Sequence, residues 1–309
     1  MPRISITSSG AAITGSGGFI GNHLTKFLAA QSSIRHFPVG VENLVPLAGE
    51  IPPHGLPVLI HMAAAGTVIT KLEAIPKMFE VTLGGMLNSI QAFRPERVIY
   101  TSSCSVYGNS PRPGGQPTWD DVHPISSYGL SKAAAERTLH QWAMETGKTG
   151  IVLRLGNVIG WGCAGLINYL VRHAFRHPDG KVPATMRGEG KVYRDYVPVK
   201  HVVRVLAHAP SVELAPGQSH VFNVGTGRTM SNGEVAVVVR EWLATQGYEL
   251  NVVFTPEPAF GESWYAGLNT QKTEEHFSLA PPSLEEVHDA VRDGAAAYLE
   301  TLRQGEKQP

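Results

Sequence analysis

A short apolar lead-in ending at Ile13 runs into Thr14-Gly15-Ser16-Gly17-Gly18-Phe19-Ile20-Gly21, and a helix-like run follows over His23–Ala30. The glycines at 15, 18 and 21 spell G-x-x-G-x-x-G between a strand and a helix. That arrangement restricts the fold more than anything else in the chain. Glycine permits the tight reversal and a close backbone approach, and the helix start then presents unpaired N–H groups and a positive dipole end to an anion such as a pyrophosphate. A glycine-rich turn also serves as an ordinary loop, so the remaining segments decide.

Those segments keep alternating. Val58-Leu59-Ile60 is the continuous apolar run of a buried parallel strand. His61-Met62-Ala63-Ala64-Ala65-Gly66 follows, with small residues that let a ligand lie against the backbone. Phe79–Phe93 predicts a helix through Val81, Leu83, Met86, Leu87 and Ile90, and Val98–Tyr100 and Ile151–Leu155 predict strands. Strand and helix in alternation predict an α/β fold with a doubly wound parallel sheet.

The last third changes character. Helices are expected over Leu166–Phe175, His201–Ala209, Ser231–Leu243 and Leu284–Leu302, strands over Arg194–Val199 and Val221–Gly225, and a polar tail over Thr301–Pro309. Ser231 and Glu234 fit a capping box. We expect residues 1–160 to form a dinucleotide-binding domain carrying the catalytic residues. Residues 161–309 are expected to form mainly a smaller α/β substrate-binding lobe, with strand 221–225 returning to the first domain.

In the 309 residues, Lys+Arg 26 balance Asp+Glu 26, which argues against a nucleic-acid or acidic-membrane partner. Cys104 and Cys163 are too few for a disulfide framework, and no metal-ligand cluster appears, so a reducing cytoplasm is the expected compartment. The start shows no signal-peptide pattern, and no apolar stretch reaches about 18 residues.

The chemistry concentrates between Tyr100 and Lys132. Ser103 closes a strand, and Tyr128 and Lys132 stand four apart at the start of a helix running through Leu139, on one helical face. A hydroxyl, a phenol and an ammonium can then meet at one substrate atom, and a cation beside a phenol favours the phenolate. A dinucleotide site also wants an acid about 20 residues past the glycines, for the ribose hydroxyls. Glu42, after the strand-like His36–Val41, is in place for NAD, although Pro38 interrupts that strand. If Glu42 turns away, Arg35 or His36 meets a 2′-phosphate and the cofactor is NADP. Only 15 residues separate Glu42 from Val58, which predicts a shortened crossover and an open adenine pocket.

In order along the chain, Thr14–Gly21, His61–Ala64, Ser102–Gly108, Tyr128–Lys132, Arg154–Gly162, Arg194–Val199 and Phe222–Gly227 resemble the extended short-chain dehydrogenase/reductase family, in its nucleotide-sugar epimerase/dehydratase branch. The resemblance implies a Rossmann-type fold and a UDP-glucose 4-epimerase-like enzyme. Tyr128 would be the acid/base, Lys132 would bind the nicotinamide ribose and lower the Tyr128 pKa, and Ser103 would hydrogen-bond the reacting oxygen. It assigns the cofactor to Gly15, Gly18, Phe19, Ile20, Gly21, Glu42, Ala63, Ala64, Ala65, Thr101, Tyr128 and Lys132, and the substrate to Ser103, Cys104, Ser105, Asn157 and Arg194.

The departures from the family pattern narrow the reaction. Family dehydratases carry an Asp-Glu pair where this chain has Cys104 and Ser105, so loss of water is not expected. Thr82 stands where the family often has Asn, and Ala259–Glu262 lacks a second Arg for the diphosphate. Arg228 is a candidate replacement, and Trp264 or Tyr265 a candidate stacking partner. The expected function is therefore NAD-dependent epimerisation of a nucleotide sugar through a 4-keto intermediate. The alternatives are an NAD(P)H-dependent 4-ketoreductase of a deoxysugar or other small ketone and, in a different class, a non-catalytic dinucleotide-binding sensor. A homodimer through Phe79–Phe93 and the helix after Tyr128 is expected from the same resemblance.

Overall fold

The computed structural model describes residues 10–30, 36–39, 57–64, 73, 75–109, 122–256 and 263–305. Arg35, Glu42, Ala65, the shortened crossover and Ala259–Glu262 lie outside them. The N-terminal part runs β1 (Ala11–Thr14), α1 (Phe19–Ala30), β2 (His36–Val39), β3 (Val58–His61), α2 (Ile75–Phe79), α3 (Gly85–Phe93), β4 (Arg97–Ser103), α4 (Ser127–Thr146) and β5 (Thr149–Leu155). With β10 (Gln218–Val224), the strands form one parallel sheet in the order β10-β5-β4-β3-β1-β2. Helices cover both faces, as expected. The reason is visible residue by residue, because successive side chains of a strand point to opposite faces. Ile13, Ile60, Ile99 and Ile151 pack with Leu24 and Leu28 of α1. Their neighbours Ala12, Leu59, Val98 and Val152 pack with Met86, Ile90 and Phe93 of α3 and Leu139 of α4. Both rows are apolar, so both sides of the sheet must be covered.

Pro38 sits in β2, the last strand of the described sheet, where a proline can be accommodated at an edge. The helix expected over Phe79–Phe93 is not a single α-helix. A π turn over Glu80–Gly84 separates α2 from α3, and Gly85 N–H donates to Glu80 O, five residues back. The turn buries Thr82 and packs on α4.

The rest comprises β6 (Asn157–Ile159), α5 (Leu166–Arg176), β7 (Ala184–Arg187), β8 (Tyr193–Arg194), β9 (Tyr196–Pro198), α6 (Val199–His208), β11 (Met230–Ser231), α7 (Asn232–Thr245), β12 (Val252–Thr255), β13 (Tyr265–Ala266), α8 (Gln271–Phe277) and α9 (Leu284–Gly305). A second core joins α5, α7 and α9 through Leu170, Val171, Val239, Leu243, Val291 and Leu299. The capping box opens α7: Glu234 N–H donates to Ser231 Oγ at 3.1 Å, and Ser231 N–H to Glu234 Oε2 at 2.7 Å.

Three boundaries differ from expectation. Arg194–Val199 is two strands, because the Asp195 side chain turns inward between them, and Val199 already belongs to α6. The closing helix continues to Gly305, so the first five residues of the expected tail are helical. No described helix is long and apolar enough to cross a membrane, and no group of potential metal ligands occurs among the described residues.

Candidate active site

The site forms at the carboxyl ends of β1, β3, β4 and β5, the edge where open α/β sheets bind ligands. Gly15 adopts φ +72, and a Cβ there would stand 2.8 Å from Ala63 N. At Gly21 a Cβ would stand 2.2 Å from Gly15 O. These two glycines let the turn press between the end of β3 and the start of α1. Gly18 is less confined, at 3.3 Å from Gly15 O, and beside Gly17 there is open space. The exposed backbone of Gly17 and Gly18 at the start of a twelve-residue helix thus forms a cradle no side chain fills, which fits a dinucleotide pyrophosphate. Phe19 and Ile20 begin the helix half-buried against the core, Ala63 is buried and Ala64 half-buried.

Ser103 ends β4, and the chain enters a 3-10 turn, Cys104–Tyr107. Ser105 N–H donates to Ser103 Oγ at 3.1 Å. Ser126 caps α4, accepting from Gly129 N–H at 3.1 Å. A Cβ on Gly129 would come within 2.5 Å of Ser105 O, so this glycine lets the first turn of α4 lie against the 3-10 turn. That contact brings Tyr128 to Ser103. Lys132, one turn along, is buried; its ammonium donates to Thr101 O at 2.8 Å and lies 5.7 Å from the Tyr128 ring centre and 4.9 Å from that of Tyr100. Ser103, Tyr128 and Lys132 therefore converge. Thr101 is enclosed: its hydroxyl donates to His61 O at 3.3 Å and its carbonyl holds Lys132.

Burial dominates the electrostatics. It pulls Lys132 down to about 7, with Glu136 opposing. It pushes the Tyr128 phenol up to about 12, aided by Cys104 and opposed by a hydrogen bond with Ser103. The expected lowering of Tyr128 by Lys132 is thus not the net result in the protein alone, because removing a phenolate from water costs more than its neighbours return. The Cys104 thiol is buried and pushed up to about 11, the setting of a packed side chain and not of a nucleophile. The Ser105 hydroxyl is buried with no hydrogen-bond partner among the described residues.

Asn157 and Arg194 lie on the neighbouring strands β6 and β8. Asn157 N–H donates to Asp195 O at 2.7 Å, and the Arg194 charge acts on Cys104. Arg194 Nη1 also donates to Tyr193 O at 2.8 Å. Asp195 is fully buried and accepts from Thr226 N–H, Thr226 Oγ and Gly227 N–H at 2.7, 2.9 and 3.0 Å. Burial raises its carboxyl to about 6 against those bonds. Trp264 is exposed and Tyr265 half-buried, its ring 6.1 Å from that of Tyr193; Arg228 is exposed. Sequence reasoning missed Asp195 and Glu136. The available signals were an acid next to Arg194 and an acid one helical turn after Lys132.

Comparison with known proteins identifies the family. The profile of the NAD dependent epimerase/dehydratase family matches residues 11–225. GDP-6-deoxy-D-mannose reductase of Pseudomonas aeruginosa is 28% identical over 233 residues, 70% of this chain and 74% of that protein. UDP-glucose 4-epimerase of Lacticaseibacillus casei is 24% identical over 289 residues, 80% and 85% of the two chains. The structure of MoeE5 in complex with UDP-glucuronic acid and NAD superimposes with a TM-score of 0.77 at 25% identity, covering 96% of this chain and 99% of that one. The chain belongs to the NAD-dependent epimerase/dehydratase family and is an NAD(P)-dependent enzyme of the short-chain dehydrogenase/reductase type.

Proposed function

We propose that the protein is a nucleotide-sugar epimerase that inverts C4 through a 4-keto intermediate. The observation that carries this reading is the convergence of Ser103, Tyr128 and Lys132 with no carboxylate beside them at Cys104 or Ser105. The turn at Gly15–Gly21 with Ala63, Ala64 and Lys132 would hold NAD, which would supply the hydride acceptor and donor.

The chain's own residues handle the proton. Tyr128 takes it from the C4 hydroxyl and returns it to the ketone oxygen, and Ser103 holds that oxygen. The raised pKa keeps the phenol protonated, ready to donate. Taking a proton requires the phenolate, and the Lys132 ammonium is the cation in reach. Arg194 and Asn157 bind the nucleotide diphosphate, Arg194 as a planar donor fork. Ser105 stands beside Ser103, its buried hydroxyl without a hydrogen-bond partner among the described residues. Without an acid–base pair beyond Tyr128, the site moves one proton and one hydride and does not expel water.

A 4-ketoreductase is the second reading, because the similar proteins include the P. aeruginosa reductase as well as epimerases. One experiment separates the two. The purified protein is mixed with UDP- and GDP-hexoses and, separately, with a nucleotide-activated 4-keto-6-deoxyhexose, and the C4 configuration of the product is read by NMR with and without added cofactor. An epimerase inverts C4 with no added NAD and no net NADH. A reductase consumes NAD(P)H and acts only on the 4-keto sugar. Failure of both defeats the proposal. We also propose a homodimer through α3 and α4, which expose Leu87, Leu130 and Met144.

A further inference from the structure

Behind the site lies a buried polar network that the reaction as derived above does not use. Glu136 and Arg154 are both fully enclosed, and Arg154 Nη2 donates to Glu136 Oε2 at 2.7 Å while Nε reaches both carboxylate oxygens at 3.1 and 3.2 Å. Ser102, which precedes Ser103, donates its hydroxyl to Glu136 Oε1. Arg154 Nη1 donates to Tyr107 Oη at 3.0 Å, and Tyr107 donates to Asn223 Oδ1 at 2.5 Å. Asn223 Nδ2 in turn donates to Asn269 O at 2.9 Å. One ion pair thus grips both ends of the Ser103 turn, the helix carrying Tyr128 and Lys132, and strands β5 and β10.

Resting on the function proposed above, we infer that Glu136 is a positioning residue whose buried carboxylate, one helical turn below Lys132, keeps that ammonium charged in the working enzyme, with Arg154 setting how much of the carboxylate's charge Lys132 feels. A neutral hydrogen-bonding pair would brace the same elements, so bracing alone does not call for full charges, and buried ion pairs are weak devices for stability. A charge is needed where it acts on another charge. Among the described residues, the groups facing Lys132 are Tyr128 and Glu136 from α4, Tyr100 from β4 and His61 from β3, with Arg154 of β5 behind Glu136. Burial holds His61 at about 3, so it is neutral, and pushes the two phenols up, so neither supplies a negative charge near neutral pH. Among the facing groups, Glu136 is the anion. Burial alone draws Lys132 down, and Glu136 draws it back up.

The test is a pair of substitutions with opposite signs. Glu136→Gln keeps the shape, removes the anion and leaves Arg154 uncompensated; Arg154→Met leaves the anion unshared. The alkaline limb of the pH–kcat/KM profile, where Lys132 loses its proton, is expected to move down by about one pH unit or more in E136Q and up in R154M. The 13Cε resonance of Lys132, assigned with Lys132→Met and titrated in the protein without sugar, is expected to shift its midpoint in the same two directions. This second readout stands apart from the assigned reaction: if no sugar is turned over but the midpoints move, the function reading fails and the inference holds. If E136Q does not fold, R154M and the charge-retaining Glu136→Asp carry the test, and E136D should lose stability while keeping the midpoint. Limb and midpoint unmoved in E136Q or in R154M, a midpoint in E136D that falls as far as in E136Q, or a shift in the same direction in E136Q and R154M would overturn the inference.

Discussion

Gly21→Ala is the perturbation that most directly probes the dinucleotide turn. The new Cβ would lie 2.2 Å from Gly15 O and 2.6 Å from Ser16 Cα, both backbone atoms that have no rotamer by which to escape. Reaching ordinary contact requires the turn to move by about 1 Å, and overpacking of this kind costs about 1–3 kcal/mol. At about 2–4 °C per kcal/mol, the melting temperature should fall by about 2–12 °C. The same movement withdraws backbone N–H groups from the pyrophosphate. One lost bond to a charged oxygen is worth ~1.5–3 kcal/mol, which is a ~10–150-fold loss of NAD affinity. Gly17→Ala is the control, because its Cβ meets no protein atom within 4 Å, so stability should stay within about 0.5 kcal/mol. Calorimetry of NAD binding and thermal unfolding of both variants measure the two effects. If G21A melts and binds like the parent, or if G17A loses as much stability as G21A, the steric reasoning is wrong.

Further expectations rest on other parts of the molecule. Tyr128→Phe should lower turnover by about 10²–10⁴ while NAD binding, measured by calorimetry, is retained. Arg194→Ala should weaken nucleotide-sugar binding and spare NAD, which equilibrium titrations of each ligand check. Burial holds His61 at about 3 and His201 at about 4, so the unfolded chain takes up protons below pH 6.5 that the folded chain refuses. Their stabilising contribution is therefore complete above 6.5 and lost as pH falls from 6.5 toward 3, by ~1.4 kcal/mol per pH unit for each histidine. Urea midpoints over that range should show the slope, and His61→Asn should reduce it. Light scattering should give twice the chain mass, and Leu130→Arg, on the exposed face of α4, should lower it.

Much of the fold could be read from the sequence, because its signals are local. Apolar runs such as Val58–Ile60 and Ile151–Leu155 have too little polar surface for an exposed strand, and a strand apolar on both faces must be covered on both. The spacing of Tyr128 and Lys132 puts them on one face of a helix by itself, since helical periodicity is a property of the backbone. The π turn at Glu80–Gly84 was not legible, because its residues suit an α-helix equally well and packing on α4 accompanies the difference. Nor was the split at Asp195, whose partners Thr226 and Gly227 lie 31 and 32 residues away.

The cluster of Ser103, Tyr128 and Lys132 shows the same division. Sequence alone determined which groups the site contains and which it lacks: a hydroxyl, a phenol and an ammonium, with a thiol and a second hydroxyl where an acid pair would stand. It did not determine their protonation. That depends on how much water is excluded and which charges lie nearby, and both are set by elements remote in the chain. Burial against β3 and β4 pulled Lys132 down to about 7 and pushed Tyr128 up to about 12. The four-residue spacing of Lys132 and Glu136 is local to α4, but only the folded chain brought Arg154 of β5 and Ser102 of β4 onto that carboxylate, because both lie on strands remote from it in sequence.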